Sequence, residues 1–175
     1  NRVSSMPSAE KMIKGFEVGS QTLEKTLTVF WETAGKKDVL TVGYGHKVLP
    51  GDKIWVDGVY RTLKEGDVIT QQMADDWYKQ DLAIAKKDAE TLAEKWNIGT
   101  QPPKVTNILT QMAFQMGLDK VGKFKNMFGA LKDRNYQAAA NEMLVGSDGI
   151  SDSLWVTQTP KRAKALAAMM QTTYK

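Results

Sequence analysis

Hydrophobic positions along the chain switch between two periods, and the switches mark its elements. Met12, Ile13 and Phe16 fall on one face of a helix that Ser8 can cap, which places Glu17 in that helix's last turn. Residues 20–29 mix Thr, Leu and Lys without a clean period. Thr28-Val29-Phe30-Trp31 and Val39-Leu40-Thr41-Val42 then read as short β segments around a turn at Gly35-Lys36-Lys37-Asp38. A second hairpin is predicted over Lys53 to Arg61, because Asp57-Gly58 between β-prone residues is a strong turn signal.

Helical period takes over afterwards. From Thr70, a good N-cap, the run Gln71 to Trp96 carries Met73, Trp77, Leu82, Ala85, Ala89 and Leu92 at helical intervals, with charge on the other face. Gln101-Pro102-Pro103 breaks it. Helix resumes from Val105 to Met116, where Ile108, Leu109, Met112, Ala113 and Met116 form a stripe that reads as core rather than as a cofactor site. Three more helical stretches follow at Lys123 to Leu131, Asn135 to Leu144 and Pro160 to Tyr174, separated by Asp133-Arg134 and by a Gly146 to Gly149 loop. The pattern is that of a mostly helical α+β protein. A β-containing lobe (1–69) is joined by a long helix (70–97) to a helical lobe (98–175), without internal repeats or a linker dividing independent domains.

Composition narrows the chemistry. At 175 residues and 42% hydrophobic content the chain can bury a core without disulfides or metal. The absence of Cys excludes thiol catalysis and Cys-ligated zinc. No apolar run is long enough to span a bilayer, and residues 1–9 lack the layout of a signal peptide. A chain opening on Asn1 reads as a processed product or as a domain of a longer protein. The net charge of +4 and a pI near 9.1 suit an acidic polymer: nucleic acid, an anionic membrane surface or a bacterial wall.

Motif chemistry selects among these. Gly43-x-Gly45 has Val48 where a third glycine of a dinucleotide fingerprint belongs, and no helical segment follows. His46 is the sole histidine, which excludes paired-His zinc ligation and leaves a serine triad without its elbow motif; it reads as a structural residue held by a carboxylate. Basic residues are interspersed with acidic ones and no nucleic-acid-binding signature is present. What remains is Glu17 and Glu32 with Thr41 nearby, on separate elements. Two carboxyl groups in different surroundings are what glycoside hydrolysis requires, one protonated to serve the leaving oxygen and one ionised.

Several segments carry a family resemblance. Ala113-Phe114-Gln115-Met116-Gly117, Val121-Gly122-Lys123-Phe124 and Trp155 to Lys164 resemble, in order and near-matching spacing, the central and C-terminal helix motifs of the phage T4-type lysozymes. Met12-Ile13-Lys14-Gly15-Phe16-Glu17 resembles that family's first helix, and Leu40 to His46 resembles the strand carrying its threonine. Phe30-Trp31-Glu32-Thr33-Ala34-Gly35 resembles its aromatic-x-Asp-Thr-x-Gly turn, with Glu where Asp is usual and longer intervals on both sides.

The resemblance implies a two-lobed fold and inverting hydrolysis of the β-1,4 bond between N-acetylmuramic acid and N-acetylglucosamine, in a cleft, without cofactor or metal. Carried over by position, Glu17 is the proton donor, Glu32 the carboxylate that holds water and Thr41 the hydroxyl that positions it. Asp38 and Glu24 stay open as alternatives to Glu32. Phe114 and Gln115 are expected to line the cleft, Arg162 to support Glu17, and Asp81 in Tyr78-Lys79-Gln80-Asp81 to pair with His46. The expected partner is peptidoglycan in the periplasm or wall, with no nucleic acid and no membrane insertion. The expected unit is a monomeric domain: a free endolysin, or part of a phage-tail, secretion or bacteriocin protein. A lytic transglycosylase and a catalytically weakened wall-binding or toxin module are the other readings.

Overall fold

The computed structural model describes residues 8–18, 27–34, 37–146 and 153–174. Its contacts divide the chain into two compact units, 10–82 and 83–175 with the N-terminal residues to Ala9, and the division falls inside the longest helix.

Unit 10–82 holds nearly all of helix α1 (Ala9–Val18) and, among the described residues, the five strands. Strands β1 (Phe30–Ala34), β2 (Lys37–Val42) and β3 (His46–Lys47) form an antiparallel sheet in that order. The first hairpin is longer at its tip than its turn residues suggest: Lys37 and Asp38 pair with Ala34 and Thr33. The Thr33 hydroxyl donates to Asp38 Oδ1 at 3.0 Å and extends the ladder. Thr28 stands outside that hairpin and bridges Val68 instead.

Strand β2 ends at Val42, where the β-prone run Val39 to Val42 ends, and the rest of the segment to His46 that resembles the family's threonine-bearing strand is a turn and a return. Gly43 and Gly45 have φ of +66° and +78°, which ends β2 at Val42 and sends the chain back as β3. Strands β4 (Lys53–Val56) and β5 (Val59–Thr62) make the second hairpin. Positive φ at both Asp57 (51°) and Gly58 (80°) gives the two-residue turn that Asp-Gly favours. Val29, Val42, Leu63, Ile69 and Ala74 form the buried core beneath these strands.

Helix α2 (Gln71–Lys95) starts where Thr70 caps it, the threonine hydroxyl accepting from Met73 N at 3.1 Å. In unit 83–175, α3 (Pro103–Met116) begins on the second of two prolines, two residues before the expected start at Val105; it buries Ile108, Leu109, Met112 and Ala113 of the expected stripe and Val105 beside them, while Met116 at its end is only partly buried. Helices α4 (Leu118–Val121), α5 (Lys125–Lys132), α6 (Tyr136–Leu144), α7 (Leu154–Gln158) and α8 (Pro160–Gln171) complete it. Asn135 caps α6 through Ala138 N, and Ser153 caps α7, a short helix that periodicity did not reveal.

Candidate active site

The sheet register builds one row of polar side chains. Thr41 of β2 is the direct cross-strand partner of Lys47 on β3, while Glu32 of β1 faces Val39, two residues from Thr41 on the same face. Lys47 Nζ donates to Glu32 Oε2 at 2.6 Å and to the Thr41 hydroxyl at 3.3 Å. Thr41 is buried and donates its own proton to Val39 O at 3.2 Å, which leaves one acceptor lone pair. Strand alternation puts Asp38 on the face of Leu40 and Val42, opposite Thr41, where it is held by Thr33. Glu24 lies outside the described residues.

Glu17 reaches the same part of the unit from the end of α1. Its carboxylate lies directly over Gly45: a Cβ added there would come within 2.7 Å of Glu17 Cδ. Helix α1 is held by Ile13, which is buried, and by Tyr78 of α2, whose hydroxyl donates to Glu10 O at 2.7 Å. The Lys14 ammonium sits 5.0 Å from the ring centres of both Tyr44 and Tyr78. Burial pushes the Tyr78 phenol far above its ordinary pKa, and the charges of Glu10 and Glu17 add to the effect. The half-buried Glu17 is thus placed by a helix end, an aromatic pair and a glycine turn.

His46 closes the turn on its far side. Asp81 Oδ2 is 2.7 Å from Nδ1 and Asp52 Oδ2 is 2.7 Å from Nε2, while the ring stacks on Trp77 at 4.7 Å. Burial by itself lowers the imidazole pKa, but the bonds to Asp81 and Asp52 outweigh it and raise the pKa above the ordinary 6.5. Asp52 also accepts from Leu49 N at 2.7 Å. A cavity of about 270 Å³ beside this group is lined by Asp52, Lys53, Tyr60, Asp76, Trp77 and Gln80; none of Glu17, Glu32 or Thr41 lines it.

The other anticipated residues belong to unit 83–175. Gln115 ties α3 to α7 and α8: Trp155 Nε1 donates to its oxygen at 2.7 Å, and its nitrogen donates to the Thr159 hydroxyl at 2.9 Å. One donor and one acceptor site of that amide remain. Phe114 and Arg162 are each partly buried. Among the described residues no group of His, Asp or Glu side chains is placed to hold a metal ion, and no helix is long and apolar enough to cross a membrane.

Sequence reasoning missed Lys47 and Asp52. Lys47 is found by register once β3 is known to return beside Thr41. Asp52 follows Pro50-Gly51, and its carboxylate accepts from Leu49 N three residues back, a contact that no sequence pattern announced.

The described residues combine a small antiparallel sheet with a mostly helical remainder, the α+β class of a lysozyme-like fold, and set a glutamate over a glycine turn and a second carboxylate beside the lysine that bonds a buried threonine. The phage lysozyme family model matches residues 23–166, so the chain belongs to that family. The matched segment includes Glu32, Thr41 and Lys47 and starts beyond Glu17. Peptidoglycan hydrolase gp36 of Pseudomonas phage phiKMV is 32% identical over 133 residues, 76% of this chain and 13% of that protein. Probable T4-type lysozyme 2 of Dictyostelium discoideum is 26% identical, covering 83% of this chain and 86% of its own. The pre-baseplate central spike protein Gp5 of Enterobacteria phage T4 is 27% identical over 83% of this chain and 25% of its own. The chain therefore spans a minor part of the two phage relatives and most of the Dictyostelium one.

Proposed function

We propose that this chain is a muramidase-type peptidoglycan hydrolase that cleaves the β-1,4 bond between N-acetylmuramic acid and N-acetylglucosamine. Protonated Glu17 gives its proton to the bridging oxygen as the bond from that oxygen to C1 breaks. A water held by Glu32 and by the free lone pair of Thr41 adds to C1 and loses a proton to Glu32. Direct delivery of that water inverts the anomeric centre. Phe114 and Gln115 are the proposed sugar contacts of the helical unit, Arg162 is the proposed electrostatic support, and the His46 group with Asp81 holds the turn on which the site stands.

The observation that carries this reading is the three-strand row in which a carboxylate and a buried hydroxyl meet. The same row supports Glu32 over Asp38, because Asp38 is on the opposite face. The names of the relatives support the substrate, and the positive charge suits an anionic wall. The two phage relatives also favour a domain carried within a larger phage protein that acts at the wall.

Digestion of purified peptidoglycan in heavy-oxygen water, with mass spectrometry of the new ends, tests the reaction. Reducing muramic acid ends that carry one heavy oxygen are expected. Anhydro-muramic ends instead point to a transglycosylase and overturn the hydrolytic reading.

A further inference from the structure

We propose that Lys47 is the positioning residue of this site: its ammonium fixes the Glu32 carboxylate beside the Thr41 hydroxyl and leaves Oε1 of Glu32 to take the water's proton. The inference rests on reading Glu32 and Thr41 as the pair that holds the water.

Glu32 carries three rotatable side-chain bonds and lies nearly half exposed on an outer strand, so the backbone alone does not determine where its carboxylate sits. Lys47 supplies the missing constraint from the opposite edge of the sheet. Its placement follows from register, since Lys47 pairs with Thr41 and its chain crosses above the middle strand to reach β1. One N–H goes to Glu32 Oε2 at 2.6 Å and a second to Thr41 Oγ1 at 3.3 Å. The ammonium's third N–H is left for a water or a sugar oxygen.

The longer carboxylate makes this constraint matter. Glu32 stands where the family resemblance expects an aspartate, and the extra methylene adds one more torsion between the strand and the carboxylate. An ammonium that bonds the carboxylate and the threonine together sets their separation directly, whatever torsions lie between. Because both side chains are more than two-fifths exposed, the pair contributes little to folding stability. Its effect is thus expected in turnover, where misplacement of one reacting group is strongly felt.

The test measures kcat and KM on soluble peptidoglycan fragments for the parent, Lys47→Met, Lys47→Arg, Glu32→Gln and the Glu32→Gln/Lys47→Met double variant, with thermal midpoints for each. Lys47→Met is expected to lose roughly 10–100-fold in kcat with KM within about two-fold and an unchanged midpoint. Lys47→Arg is expected to return to within about five-fold of the parent, and the double variant to be no slower than Glu32→Gln alone. If Lys47→Met is poorly folded, Lys47→Gln, which is polar, uncharged and one atom shorter than lysine, carries the same expectation. Lys47→Met at parental kcat beside an inactive Glu32→Gln overturns the proposal and leaves the hydrolase reading standing. An active Glu32→Gln overturns the assignment of Glu32 itself.

Discussion

Gly45 and Glu17 are one feature rather than two. At φ +78° an L side chain is strained, and the space that a Cβ needs is filled by the Glu17 carboxylate. Gly58 has almost the same φ, +80°, with nothing within 4 Å of its added Cβ, so it serves as an internal control. Both Gly45→Ala and Gly58→Ala are expected to cost about 1–2 kcal/mol in chemical denaturation, but only Gly45→Ala to lower lytic rate, by about ten-fold or more. Equal activity in the two variants contradicts this placement of Glu17. His46 gives a second residue-scale expectation. Its folded pKa lies above 6.5, so the stability from the protonated ring between Asp81 and Asp52 is complete below 6.5 and is lost as pH rises through the folded value. Denaturation of the parent and His46→Gln at about pH 6 and about pH 9 should show a difference of about 2 kcal/mol that shrinks on the alkaline side. A difference independent of pH argues that the ring is neutral. The pairing of His46 with Asp81 was readable from a family motif. Asp52, which completes it, was hidden because a turn and not a helix delivers it.

At the scale of elements, the hairpin β1–β2 supports Glu32 over Asp38 as the proposed second carboxylate. Register places Glu32 and Thr41 on one face and Asp38 on the other. Glu32→Gln is therefore expected to lose about 10²-fold or more in lysis and Asp38→Asn to stay within about two-fold. The opposite ranking means that the ladder is paired differently. Caps are the other testable elements: Thr70→Ala removes the acceptor for Met73 N and is expected to cost about 1 kcal/mol in urea unfolding without changing kcat. The elements most legible in the sequence were those with a mechanism at their ends, the Thr70 cap, the Asp57-Gly58 turn and the Pro160 start. The least legible were the two-residue strand β3 and the short helix α7, too brief for any period to register. Missing β3 concealed Lys47, because a lysine followed by no visible strand reads as solvated surface.

For the whole molecule, the mostly helical α+β class followed from the shift of period near Thr70, and family membership rests on a match that runs from residue 23 to 166. The first helix lies outside that match, so the case for Glu17 stands on its position over Gly45 and on the motif around Phe16. Fold alone does not assign chemistry, and a lysozyme fold without activity would keep nearly all of these contacts. The decisive measurement is the rate at which Glu17→Gln clears a suspension of permeabilised Gram-negative cells beside the parent, with folding verified by thermal midpoint. A folded variant at least about 10²-fold slower than the parent is expected. A folded Glu17→Gln that clears cells at the parental rate contradicts Glu17 as the proton donor.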